Sequence, residues 1–180
     1  MIHQRVDVPV QALMTSALVA TAKQFCRKSQ CVIVSQPYDS VRAGQTLTVE
    51  PEPNPDLMAS EILQLTQLDR PISPSEYCIL NRDSVHLLAD YEAIDVHYVV
   101  EPRTQARHLP TMLFQEYGDG ICAGAASRLQ RQAQMPWGDL DMAHMNEQEY
   151  YSALREARRM TLEVSPWLDI PASVRQREFF

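Results

Sequence analysis

Glycine is scarce in this chain: five residues in 180, against twelve prolines. That balance points to stiff connections and extended segments rather than glycine hinges. No apolar run approaches the about 18 residues that a membrane-crossing helix needs, so no membrane partner is expected. The start, Met1-Ile2-His3-Gln4-Arg5-Val6-Asp7, lacks the long apolar core of a secretory signal. A protein made and kept in a reducing cytoplasm is the expectation. The four cysteines agree with it. Cys26 and Cys31 are spaced C-x4-C, with no second pair and no nearby histidine pair to complete a zinc pattern. Cys26 and Cys122 fall on apolar helical faces and read as small buried hydrophobes.

Basic charge is also in short supply. Lys plus Arg number 16 and Asp plus Glu 23, a net charge of −7. This argues against a surface that binds nucleic acid by neutralising phosphates. It leaves open a channel wall past which nucleic acid slides without sticking.

Catalytic frames are missing as well. Ser84 or Ser127 as a nucleophile would need a base and an oxyanion site, and no Gly-x-Ser-x-Gly elbow surrounds either. There is no P-loop, and Gly118-Asp119-Gly120 lies inside a helical pattern where it cannot cradle phosphate. The histidines are His3, His86, His97, His108 and His144. His86 and His97 fall on adjacent expected strands and could face each other, the one metal-like geometry available. A solvated pair is the commoner arrangement. No catalytic residue, metal ligand or cofactor is therefore assigned.

What is present is helical periodicity at both ends. Val10, Met14, Leu18, Ala22 and Phe25, with Leu13 and Ala17, form a stripe over residues 8–29, with Pro9 in its first turn. A second pattern covers 109–134. It opens on Leu109-Pro110-Thr111 and repeats at Leu113, Tyr117, Ile121, Ala125 and Leu129, widened by Phe114 and Cys122. Three glycines sit inside it, each costing about 0.5–1 kcal/mol relative to alanine. Gly120 and Gly124 are four apart, hence on one face, and with Ala123 and Ala126 they allow another backbone to approach closely. Pro136 disfavours helix at Met135, so this helix should end near Gln134. Trp137 is expected to plug the corner. Asp139 is a good N-cap for a third helix, 139–163, with an inward stripe of Ala143, Asn146, Tyr150, Ala153/Leu154, Ala157 and Met160/Thr161.

Between the first helix and the last two the period changes. Strands are expected at 31–35 and 46–50 around a turn in 37–45, then at 62–68, 76–80, 85–88 and 93–100. Pro51-Glu52-Pro53-Asn54-Pro55 can be neither helix nor central strand. Residues 57–68 fit a helix and a strand about equally; the strand is preferred, with a turn at Asp69-Arg70-Pro71. Ile94, Val96, Tyr98 and Val100 alternate with Asp95, His97 and Val99. The expectation is an α+β chain: a three-helix bundle with one small antiparallel sheet, about 31–100, inserted after its first helix.

After Val164 the chain turns to proline and large apolar residues: Trp167, Leu168, Ile170, Val174, Phe179 and Phe180, with Pro166 and Pro171 forbidding helix. This is too apolar for a free terminus and needs a partner surface, on its own domain or on another chain. The other chain is the preferred reading.

The order of motifs in 109–164 resembles the head-to-tail adaptor, or connector, proteins of short-tailed bacteriophages. The matching positions are Leu109-Pro110, Gly124-Ala125, Arg128-Leu129, Pro136-Trp137 with Asp139, Ala143, Tyr150 and Ala157-Arg158. More weakly, 10–25 is similar to that family's first helix and Ala43-Gly44-Gln45 to its first hairpin turn. The resemblance implies a non-enzymatic virion protein of the neck or tail, present in host cytoplasm during assembly. It implies a ring, by resemblance twelve-fold, joining the portal protein to the tail nozzle protein and passing DNA without specific binding. The adaptor domain would span 1–164. Residues 165–180 would form an extended arm contacting the portal or a neighbouring copy through Trp167, Leu168, Ile170, Arg175, Arg177, Phe179 and Phe180. Gly120, Gly124 and Trp137 would pack the helices. From a different class, a small cytoplasmic enzyme with a Cys/His site on the sheet, using Cys78 or the histidines, is the alternative.

Overall fold

The computed structural model describes residues 2–51 and 54–165. A 3-10 turn, Ile2–Gln4, precedes α1 (Gln11–Ser29). Seven strands follow: β1 (Ile33–Val41), β2 (Thr46–Thr48), β3 (Leu57–Gln67), β4 (Arg70–Pro71), β5 (Tyr77–Ile79), β6 (Ser84–Leu87) and β7 (Tyr91–Pro102). Then come α2 (Thr111–Gln130) and α3 (Leu140–Val164). The described residues thus form an α+β fold with three helices and two small antiparallel sheets.

The expected single sheet is two. One has the order β1-β7-β3-β4 and the other β2-β6-β5. Alternating apolar positions say which residues face inward but not which strand lies alongside, and here they serve both sheets. Leu47, Val85 and Leu87 from the small sheet, with Val49 just beyond β2, share one core with Ile62, Leu65, Ile94, Val96, Tyr98 and Val100 from the large one. Ala43-Gly44-Gln45 is a turn, with Gly44 at φ 85, but it does not close a hairpin. It carries the chain from β1 in one sheet to β2 in the other.

Other boundaries moved for local reasons. β1 runs through Pro37, inside the expected turn, because β1 is an edge strand and proline's missing N–H leaves no ladder bond unmade there. Leu57–Gln67 is strand over its whole length. Its tight turn lies at Leu68 and Asp69, both at positive φ (49 and 61), so Arg70 and Pro71 already pair with Gln67 and Thr66. Such paired positive φ values match the right-handed twist of a two-residue hairpin.

α1 begins at Gln11 behind an extended Val10, so Pro9 precedes the helix. Val10 and Leu13 are exposed rather than inward. α2 stops four residues before Gln134, where successive turns take over, Met135 N–H to Gln132 O and Gly138 N–H to Met135 O, each at 2.9 Å. Phe114 and Met160, both assigned to inward stripes, are exposed.

Each helix touches the other two. Ala22, Phe25 and Cys26 of α1, Leu113 and Ile121 of α2, and Tyr150, Leu154 and Ala157 of α3 form one buried cluster. A second cluster joins Ile2, Val6 and Val8 to Met14 and Ala17 and to Cys122, Ala125, Ala126 and Leu129. The helices lie on the face of β7 opposite the small sheet. That face carries Glu101, a carboxylate wholly removed from solvent. It accepts from Arg27 (Nη2 at 2.7 Å, Nε also bonded) and from Ser60 Oγ at 3.0 Å, with Lys23 Nζ at 3.3 Å. Burial alone would raise its pKa. The hydrogen bonds from Arg27 and Ser60 and the two positive charges outweigh this and hold it below the usual carboxylate range.

Candidate interaction site

The α2–α3 hairpin is built around two glycines. A Cβ placed on Gly120 would lie 2.4 Å from Ala153 Cβ. One placed on Gly124 would lie 2.5 Å from Tyr150 Cδ2 and 2.8 Å from Thr21 Cγ2. Gly124 therefore sits where all three helices meet, and the absent side chain is the space that the Tyr150 ring occupies. Burial pushes the Tyr150 phenol up to about 12. Beside this contact a small hollow of about 210 Å³ is lined by Gln24, Ser127, Arg128, Arg131 and Glu147. Arg131 pairs with Glu147 at 2.5 Å and Arg128 donates to Gln24 Oε1 at 3.1 Å.

The corner between the helices is fixed by short-range bonds. Asp139 Oδ1 accepts from Met142 N–H at 3.0 Å, the N-cap that the sequence suggests. Gly138 has Gln132 O 2.6 Å from where a Cβ would be, so the backbone passes too close for any other residue without rearrangement. Trp137 is half-buried against the N-terminal cluster, and its Nε1–H reaches Gln132 Oε1 at 3.3 Å.

Around this corner runs a polar network that sequence reasoning missed. Gln130 and Asn146 are both buried. Asn146 Nδ2 donates to Gln130 Oε1 (2.9 Å) and Gln130 Nε2 to Arg5 O (3.0 Å). Arg5 then donates to Asn146 Oδ1 (2.9 Å) and to both oxygens of Glu149 (2.7 and 2.6 Å). The N-terminal segment is thereby tied to both long helices. The available signal was a polar pair, Gln130 and Asn146, at inward positions of apolar stripes, since buried amides need partners.

His86 and His97 do not face each other. β6 and β7 belong to different sheets; His86 Nδ1 is bonded to Thr46 Oγ1 at 3.1 Å and His97 Nε2 to Thr66 Oγ1 at 2.9 Å. The small sheet does place Cys78 opposite His86. Cys78 Sγ, however, is directed to Ile79 O at 3.9 Å. Cys31 and His97 both line a cleft against α2 and α3. Burial raises the Cys31 thiol and lowers the His97 imidazole, the reverse of what a thiolate–imidazolium pair requires. Among the described residues no group of three or more His, Cys, Asp or Glu is arranged to hold a metal ion. No described helix is long and apolar enough to cross a membrane.

Thiol reactivity tests these placements. Iodoacetamide added to the folded protein should modify exposed Cys78 first, half-buried Cys31 more slowly, and Cys26 and Cys122 only on unfolding. Peptide mapping by mass spectrometry reads the order. Modification of Cys26 as fast as Cys78 without denaturant would show that the helical core opens freely.

Gly120, Gly124 and Trp137 thus lie along one helical hairpin. Trp167, Leu168, Ile170, Arg175, Arg177, Phe179 and Phe180, and with them nearly all of the proposed arm, lie outside the described residues. No family model matches the chain, and no curated protein matches it.

Proposed function

We propose that this chain is a virion structural protein, a head-to-tail adaptor whose copies form a ring between portal and tail nozzle. The observation that carries the reading is the ordered series Leu109-Pro110, Gly124-Ala125, Arg128-Leu129, Pro136-Trp137, Asp139, Ala143, Tyr150 and Ala157-Arg158. Its members are spread over one helical hairpin, where Gly124 and Tyr150 touch, Asp139 caps α3, and Ala125, Leu129, Ala143 and Ala157 are buried. The role is geometric. The helices act as a bundle that builds the wall, the inserted β region meets neighbours or the tail, and the arm at 165–180 contacts the portal or an adjacent copy. By resemblance the ring has twelve subunits. The net charge of −7 suits a DNA channel, because an acidic wall repels phosphate and reduces friction, an effect that salt weakens. The protein works without a catalytic centre, in the neck or tail of the particle, after assembly in host cytoplasm.

Two states of the chain test this reading. Expressed alone it is expected to be a monomer, since free rings would compete with the particle for subunits. Mixed with the portal protein encoded by the same genome, it should form a ring complex in size-exclusion chromatography with light scattering. Stable rings at micromolar concentration without portal would overturn the first expectation. A chain that stays monomeric beside that portal would overturn the function.

A further inference from the structure

The end of α3 opens onto an uncovered apolar cleft. A space of about 420 Å³ lies between the start of α2, the end of α3 and strands β1 and β7, walled by Cys31, Ile33, Met112, Tyr117, Met160 and Val164. Among the described residues nothing covers Met112, Met160 and Val164, which remain 39%, 43% and 72% exposed. Ser165 also lines the cleft. It is buried and extended (φ −102, ψ 96), and its N–H is held by Thr161 O at 3.0 Å. The described chain therefore ends in the wall of the cleft itself. The next five residues are Pro166-Trp167-Leu168-Asp169-Ile170, three of them large and apolar.

We propose that Trp167, Leu168 and Ile170 cover this cleft in their own chain, with Ser165 as the pivot. Distance favours the same chain over a second copy. An extended chain advances about 3.3–3.6 Å per residue, so Trp167 begins within about 7 Å of Ser165. So short a tether corresponds to a local concentration of roughly millimolar or more, above that of any free partner at micromolar concentration. A tryptophan that finds an apolar surface buries about 150–250 Å² there. The assignment concerns the isolated chain and stands whether or not the chain is an adaptor. It divides the arm in two: the proximal residues close their own domain, while Arg175, Arg177, Phe179 and Phe180 remain available to a partner.

The experiment is fluorescence of the full chain against Trp167→Phe, whose difference spectrum isolates Trp167 from Trp137. Expected are blue-shifted emission and several-fold weaker acrylamide quenching than in a synthetic 164–180 peptide. Both should be unchanged on dilution, and both lost in the double variant Met112→Glu, Met160→Glu. Quenching equal to that of the peptide overturns the proposal. So does protection that disappears on dilution together with a halving of mass, which would mean docking on a second copy. Chains stopped after Ser165 and after Ala172 give a readout independent of the double variant. The longer should melt at least about 3 °C higher, and equal melting temperatures overturn the assignment.

Discussion

Gly124→Leu is expected to lower the melting temperature by about 4–8 °C, a net loss of about 2 kcal/mol at 2–4 °C per kcal/mol for a chain of this size. Two effects compete. Replacing a glycine inside a helix stabilises by about 1 kcal/mol. Against that, the first added carbon would meet Tyr150 Cδ2 at 2.5 Å, Tyr150 Cγ at 2.9 Å and Thr21 Cγ2 at 2.8 Å. Tyr150 is buried between Phe25 and the α2 backbone, with ring centroids 6.1 Å apart in an edge-on contact to Phe25. The ring cannot swing away without displacing that contact. Overpacking of this kind costs about 1–3 kcal/mol, occasionally more, and three further carbons of leucine push it to the upper end. Gly124→Ala is the milder version and should still destabilise. In a Tyr150→Ala background the penalty should shrink but not vanish, because Thr21 remains. An unchanged or raised melting temperature in Gly124→Leu would show that the face is not closely packed.

Glu101→Gln should cost about 2 kcal/mol at neutral pH, less than the roughly 3–5 kcal/mol seen when a fully buried pair is broken. The discount follows from exposure. Glu101 is enclosed, but the Arg27 and Lys23 side chains are 40% and 23% exposed, so water can take over part of their solvation. The pH dependence has a definite sign. The folded carboxyl has a lowered pKa, whereas in the unfolded chain it sits near about 4.3. Above that value the ion cluster contributes its full stability. As pH falls, the unfolded state binds the proton first, and the contribution is lost by the time the folded pKa is passed. Urea melts should therefore separate native and Glu101→Gln proteins at pH 7 and bring them together in strong acid. Coincident curves at pH 7 would show that the cluster adds nothing net.

The helices were legible because their determinants are local. Apolar spacing and the Asp139 cap act within a few residues, and α3 lies within one residue of its expected bounds at each end; Pro136 sets only an outer limit for α2, which ends at Gln130. The glycines were legible as a pair on one face, although only the tertiary packing identifies Ala153, Tyr150 and Thr21 as what they face. The site alternatives fared differently. His86 and His97 looked like neighbours because consecutive strands usually pair, and here the intervening turn changes sheets.

By itself the sequence determined the α+β class, the three helices among the described residues, the Asp139 cap of α3 and the inward positions on β7. All of these follow from period, proline and side-chain chemistry along the chain. Tertiary structure alone decided that the seven strands of the described residues split into two sheets over one core, and that Glu101 is enclosed by Arg27, Lys23 and Ser60. It also joined Arg5 to Gln130, Asn146 and Glu149 across more than a hundred residues. The physical reason is common to these cases. Closing a long loop is favourable only when the groups it brings together satisfy each other out of water. No local stretch records which distant donor will meet which buried acceptor.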